Sequence, residues 1–226
     1  WHMDEKTCFP SAATQPDGSK TANLTNDYCG VDGALNAGCP VQAAMTQNEQ
    51  LSTAFPTYYT IRQCADKSWR VVYDVFFQKD TGHPYDWEWA AVKFVPNAQG
   101  DYIRDGVWLE QDGNHPYTSW ASIPNTFDGD ADKLTNAQTN RDHPKCYFGK
   151  WKHNVALVYN DDFANDCLGA IIEKKDYHSE DYAFYAADNL LVDATVPASY
   201  TYGNADSTPL SFEAGGAYDI CGSKFT

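Results

Sequence analysis

The sequence predicts a mainly β protein: a central antiparallel β-sandwich flanked by loops and a few helices and stapled by disulfides. Three observations predict it. From residue 57 onward, apolar and aromatic side chains alternate in short runs broken by turn residues, the pattern of strands buried on one or both faces. Helical periodicity is confined to one main stretch, and consecutive strands with a single principal helix suit packed sheets rather than a wound parallel sheet. Seven cysteines are dispersed, with no C-x-x-C, through an acidic, aromatic-rich chain. Such spacing reads as a disulfide framework of a secreted protein, not as zinc or thioredoxin chemistry. The odd count leaves one thiol unpaired within the chain.

Residues 4–56 are rich in Gly, Ser, Thr, Asn, Asp and Pro. They read as long loops tied by Cys8, Cys29 and Cys39, with a short helix from Pro40 to Leu51. Thr57 to Cys64 and Trp69 to Gln78 are predicted strands, joined by Ala65-Asp66-Lys67-Ser68. In the second, Trp69, Val71, Tyr73, Val75 and Phe77 share one face, and Arg70, Val72, Asp74 and Phe76 share the other. Both faces are largely apolar, as in a central strand. Trp87 to Val95 is the next strand, with no breaker before Pro96, and Asp101 to Glu110 follows it. Gln111 to Arg141 is a long polar connection of the kind that is functional or carries short elements of its own. Within it, Asp128, Asp130 and Asp132 alternate as in a calcium loop. The glycine and downstream glutamate of an EF-hand are missing, so they read as loop acids. Lys145 to Tyr159 is a strand or strand pair in which His153 reads as a core histidine. Ser179 caps a predicted helix from Glu180 to about Val192, with Ala183, Ala186, Ala187, Leu190 and Leu191 as its buried stripe. The tail from Pro197 is turn-rich, and Cys221 staples it.

Length and composition narrow the function. A chain of 226 residues is expected to form one domain over 1–226, with 1–56 as a loop-rich, disulfide-stapled part. Sixteen basic against thirty-one acidic residues leave a net charge of −15. That balance argues against nucleic acid as a partner and against simple adsorption to anionic lipid. No run approaches the length of a membrane span, so neither a spanning helix nor a retained signal sequence is expected. Asn23-Leu24-Thr25 is a glycosylation sequon, in keeping with secretion. A monomer is expected.

The densest chemistry lies in Asp80-Thr81-Gly82-His83-Pro84-Tyr85-Asp86-Trp87-Glu88-Trp89. Side chains alternate along a strand, so Asp86 and Glu88 share a face with Ala90, Val92 and Phe94, while Trp87 and Trp89 share the other. Two acids head a row that otherwise points into a core. Like charges withdrawn from water repel unless one is protonated or a cation lies between them. Asp80 and His83 arrive from the preceding turn. Three carboxylates and one imidazole suit a small divalent cation that keeps several waters, so Asp80, His83, Asp86 and Glu88 are the candidate metal ligands. A structural reading stands beside this one: Asp80 as a turn cap, His83 as a half-buried histidine, and the strand acids paired with lysine or arginine. Only Lys79 and Lys93 are near in sequence, which favours the metal. A further alternative is a polysaccharide hydrolase using Asp86 and Glu88, whose α-carbons would lie about 7 Å apart on one strand. No zincin, Walker, dinucleotide or G-x-S-x-G motif is present.

Gly82-His83-Pro84-Tyr85-Asp86-Trp87-Glu88 resembles the G-H-R-H-D-W-E heptapeptide of the necrosis- and ethylene-inducing peptide-like proteins. Tyr73 to Asp80 is similar to that family's aromatic strand ending in P-K-D, and Arg141 to Gly149 with Lys152-His153 to a later strand. The resemblance runs from about Thr57 to Tyr159 and more loosely through Ser179 to Pro197. It implies a secreted β-sandwich with one divalent cation, calcium or magnesium (manganese suits the same donors), held by Asp80, His83, Asp86 and Glu88, some of them through water. It also implies binding of a glycan or sphingolipid headgroup at plant plasma membranes, cytolytic activity as a toxin or virulence factor, and no catalytic residues. A non-toxic elicitor with a structural metal is the alternative within the family. Tyr85, Trp87, His143 and His153 are candidate ligand or cavity neighbours. The sequence departs from the family at Pro84 and Tyr85, which replace Arg and His. One residue separates Asp80 from Gly82, where cytolytic members have several more.

Overall fold

A computed structural model of the chain describes residues 1–4, 7–26, 37–40, 55–129, 131–132, 135–158, 182–184, 190–192 and 195–225. Its centre is a six-stranded sheet of β2 (Thr57–Gln63), β3 (Trp69–Lys79), β4 (Pro84–Pro96), β5 (Tyr102–Leu109), β6 (Tyr117–Ser119) and β12 (Leu190–Val192). The order is β12-β2-β3-β4-β5-β6, antiparallel except where β12 runs parallel to β2. A smaller sheet has the order β10-β9-β1-β11, from β10 (Val155–Ala156), β9 (Tyr147–Phe148), β1 (His2–Asp4) and β11 (Tyr182–Phe184). A two-stranded ribbon joins β7 (Thr126–Phe127) to β8 (His143–Pro144). The predicted mainly β, disulfide-stapled architecture is the one observed.

Alternation along β3 and β4 builds a core on each face of the central sheet. On one face Val75, Phe77, Ala90, Val92, Val107 and Leu109 pack against Phe148 and Val155 of the smaller sheet. Phe77 meets Phe148 edge-on at 5.2 Å between ring centroids. This is the sandwich layer. On the other face Tyr58, Phe76, Trp87 and Trp89 are covered by chain without regular strands: Val196, Tyr202, Phe212, Ile220 and Phe225. Fully burying each tryptophan removes about 200 Å² of surface from water, which makes that irregular cover energetically indispensable.

The C-terminal cover is fastened at several points. A disulfide joins Cys64 at the end of β2 to Cys221. The buried Arg70 guanidinium donates to the carbonyls of Ile220 (2.7 Å) and Phe225 (2.8 Å) and stacks over Trp108. Arg62 pairs with Asp219 at 2.6 Å. A second disulfide, Cys8–Cys39, ties the N-terminal loops. Cys146 is a buried free thiol, pushed up to about 11 by burial; Cys29 and Cys167 lie outside the described residues.

One expectation is corrected. The stretch predicted as a helix over 180–192 contains strands instead, at Tyr182–Phe184 and Leu190–Val192. Pairing with β1 and β2 supplies backbone hydrogen bonds that an isolated helix of that sequence would have to find locally. The flanking helices found among the described residues are short 3-10 turns, Trp120–Ser122, Pro209–Phe212 and Ser223–Phe225. The helix predicted over 40–51 lies outside the described residues. Among the described residues no helix is long and apolar enough to cross a membrane.

Candidate metal centre

The site exists because β4 outruns its neighbour. The β4–β5 ladder begins at Ala90 opposite Leu109, and one further bond runs from the Glu110 amide to the Trp89 carbonyl at 3.1 Å. Residues 84–88 therefore pair with β3 on one side only. Their other edge opens on a cavity of about 290 Å³. Glu110 to Gly113 form one part of its wall, Lys152 and Asn154 another, and Asn204 to Ser207 with Tyr218 a third. Ser207 donates to the Trp87 carbonyl at 2.9 Å and so ties the C-terminal cover to this free edge.

The turn from β3 into β4 places the first donors. Asp80 Oδ1 accepts the amides of Gly82 and His83, both at 2.5 Å, and the Asp80 amide donates to the His83 carbonyl at 3.1 Å. The carboxylate thus folds the tight turn around itself, as short acidic side chains do. His83 donates from Nδ1 to the Tyr85 carbonyl at 2.6 Å, which leaves Nε2 as the ring's acceptor. Tyr85 sits at φ 69°, a left-handed conformation that lets the turn close within so few residues. One ligand atom from each of Asp80, His83 and Asp86 lies within 4.8 Å of the others.

Asp86 is held from behind by His153. The His153 ring lies flat on Phe77, 3.9 Å between centroids at 7°, and its Nδ1 donates to Asp86 Oδ2 at 2.8 Å. Burial drives the His153 imidazole down to about 4, so it is the neutral ring that orients the carboxylate. His153 is thus buried, as its apolar neighbours implied, and also in direct contact with the acidic cluster.

Electrostatics favour a cation here. Asp86 is held well above the carboxylate range, first by burial and then by Asp80. Glu88 is raised by burial and then by Glu110, whose carboxyl it meets, and by Asp86. Burial opposes the charging of His83, but Asp86 and Asp80 outweigh it and raise the imidazole. Glu88 Oε2 is buried with no hydrogen-bond partner. Acids destabilised in their charged form, an imidazole with a free acceptor and an unsatisfied carboxyl oxygen are the donor chemistry a hard divalent cation accepts. The residues present fit such an ion.

The structure brings Asp80, His83, Asp86 and Glu88 to one cavity, with Trp87 beside them. Glu88 stands outside the closest donor group and faces Glu110 instead. The short Asp80–Gly82 connection keeps Asp80 with the cluster, because its carboxylate is the turn's own cap. Tyr85 turns to the opposite face against Phe76 and Tyr202, and only its carbonyl serves the site. His143 lies on β8, stacked on Phe127, and does not line the cavity. Lys93 pairs with Asp105 at 2.8 Å, away from the acids. Among the loop acids, Asp132 accepts amides of Asp128 and Gly129 while Asp128 pairs with Arg141, so both serve turn structure.

Sequence reasoning missed Glu110, Asp112, Asp206 and Lys152 as cavity residues. Glu110 was reachable to within one residue: counting back along the hairpin from its turn at 97–101 sets it opposite Glu88, and the register shift between Lys93 and Phe94 moves it to Trp89. Asp206 had no such signal, since an irregular tail carries no register.

No protein-family model matches the chain, and no curated protein does. Solved structures do. The non-toxic HaNLP3 protein superposes with a TM-score of 0.52 at 14% identity, covering 89% of this chain and 77% of that one. NLPPya in complex with glucosamine gives 0.52 at 14% over 90% and 76%, and NLPPya in complex with mannosamine 0.52 at 13% over 90% and 77%. The chain has the fold of these NLP structures.

Proposed function

We propose that this chain is a divergent necrosis- and ethylene-inducing peptide-like protein, acting outside the cell as a divalent-cation-dependent binder of a sugar headgroup. The observation that carries the reading is the close Asp80–His83–Asp86 donor group at the free edge of β4, opening on an acidic cavity. The shared fold supports it, as does the binding of amino sugars by NLPPya.

In this reading Asp80, His83 and Asp86 would hold calcium or magnesium, with Glu88 as a further acid beside them. A bound divalent cation supplies an electrophilic point that sugar hydroxyl oxygens can share. The chain's own residues do the rest. His153 fixes the Asp86 carboxylate, the Asp80 turn holds His83 in place, and Trp87, Asn154 and Tyr218 line the space beside them. At about 290 Å³ the cavity suits one monosaccharide-sized headgroup rather than an oligosaccharide. Its setting on a plant sphingolipid is the natural extension of the reading, with membrane damage as a separable second step. The hydrolase alternative draws no support from the geometry. It rests on Asp86 and Glu88, and the Asp86 carboxylate is engaged by His153 Nδ1 at 2.8 Å.

Calorimetric titration with calcium, magnesium and manganese tests the reading. Wild type should bind one ion, and Asp86→Asn should lose that binding while remaining folded. Absence of ion binding to folded wild type refutes the proposal. Leakage from sphingolipid vesicles, with and without chelator, then separates a cytolysin from a non-toxic elicitor.

A further inference from the structure

We infer that Asn23 carries an N-linked oligosaccharide, attached on the loop that the Cys8–Cys39 disulfide closes and standing clear of the acidic cavity. The inference rests on the extracellular part of the reading above, and on neither the cation nor the sugar ligand.

Three observations meet at this loop. Asn23-Leu24-Thr25 is the one N-x-S/T triplet in the chain, and no proline stands within it or directly after it. The triplet lies inside the loop closed by Cys8 and Cys39. Such a bond forms and persists in the oxidising secretory compartments, where eukaryotic cells also add sugar to asparagine. The fold then presents the triplet outward, with Asn23 and Thr25 exposed and Leu24 half-buried between them.

That presentation follows from the sheet edge beneath. The β2–β3 ladder ends at Tyr58 opposite Asp74, so β3 runs on past its partner. The N-terminal chain takes over this edge: the Ser11 amide donates to the Phe76 carbonyl and the Leu24 amide to the Gln78 carbonyl, both at 3.0 Å. Gln78 Nε2 returns a bond to the Ala22 carbonyl at 2.8 Å. Leu24 lies over Gly38, where a Cβ would come within 3.1 Å of its side chain. Leu24 is thereby clamped inward, and its two neighbours are left facing solvent. The Asn23 side chain is engaged by a long hydrogen bond from Nδ2 to the Leu24 carbonyl, at 3.3 Å, so a sugar on Nδ2 displaces little. No residue of the triplet lines the cavity. Gln78 stands two positions before Asp80, so the sugar flanks the donor turn without entering the site.

The step is a group transfer with no change of oxidation state. Asn23 Nδ2 attacks C1 of an oligosaccharide held on a polyisoprenyl diphosphate. The bond from C1 to the diphosphate oxygen breaks, a C1–nitrogen bond forms, the amide gives up one proton, and the lipid diphosphate leaves. The Thr25 hydroxyl, two positions on, completes the triplet that the transferase reads.

The test is secretion of the full chain from yeast behind a secretion signal, with peptide mass spectrometry before and after digestion by peptide-N-glycosidase. Wild type from the medium should carry one oligosaccharide, removed by the digestion with conversion of Asn23 to aspartate. Asn23→Gln and Thr25→Ala should each lose it, whereas Thr25→Ser should keep it; both positions are exposed, so these variants fold. Wild type recovered from the medium as bare polypeptide, with Cys8–Cys39 and Cys64–Cys221 formed, overturns the inference while the extracellular reading stands. An oligosaccharide that survives both Asn23→Gln and Thr25→Ala overturns it equally. A chain held in the cell with Cys8 and Cys39 reduced and no sugar attached overturns both.

Discussion

Asp74 should make the protein less stable as pH rises, and replacing it should remove that slope. It lies in the middle of β3, 1% exposed, facing the tryptophan side of the sheet, and neither carboxyl oxygen has a hydrogen-bond partner. Tyr58 and Trp89 are its cross-strand neighbours. Burial holds its carboxyl well above the ordinary range; the nearby Val75 amide offsets part of this, and the charges of Asp86 and Glu110 add to it. A group whose folded pKa exceeds its unfolded value stabilises fully below the unfolded value, near 4, and loses that contribution as pH climbs towards the folded one. Within this window the native state keeps a proton that the unfolded chain has released. Stability then falls by about 1.4 kcal/mol per pH unit for this one group. Asp74→Asn removes the titration at almost constant volume. Urea unfolding of wild type and Asp74→Asn over a series of pH values above about 4, in chelator, should give wild-type stabilities that fall with pH relative to those of the variant, by at most about 1.4 kcal/mol per unit. Parallel behaviour of the two proteins would show that Asp74 titrates alike folded and unfolded, and the argument from its isolation would fail.

Other outcomes follow from the packing. Arg70→Met should lower stability by about 3 kcal/mol or more in urea melts, because it strips donors from the buried Ile220 and Phe225 carbonyls. Gly106→Ala should cost about 1–3 kcal/mol, since a Cβ there runs into the Thr118 carbonyl oxygen and the Tyr117 ring that lies over the glycine; an unchanged unfolding midpoint would contradict it. Saturating calcium or magnesium at a hundredfold excess over its Kd should stabilise wild type by about 2.7 kcal/mol. That corresponds to a rise of about 5–10 °C in Tm for a chain of this size, and Asp86→Asn should show none of it.

Much of this was legible in the sequence, and the reason is locality. The central strands announce themselves through alternation that the two cores then use: Val75 and Phe77 pack to one side, Phe76 to the other. The donor turn was legible because Asp80, His83 and Asp86 come from one short stretch whose geometry its own side chains set. The stretch over 180–192 failed for the opposite reason. Its alanines and leucines favour helix locally, yet Leu190–Val192 is recruited as a parallel edge strand by Thr57–Tyr59, far away in sequence. The tail wall of the cavity was hidden likewise, since nothing near Asp206 in sequence says which sheet edge it will cover.

The cavity is assembled from two kinds of material. Its Asp80–His83–Asp86 end is a single continuous stretch of chain, while the opposite wall depends on a segment carried in from the far terminus and locked by Cys64–Cys221. The donor turn can therefore persist through sequence change that rebuilds the opposite wall. Chains of this fold can keep the one and vary the other independently.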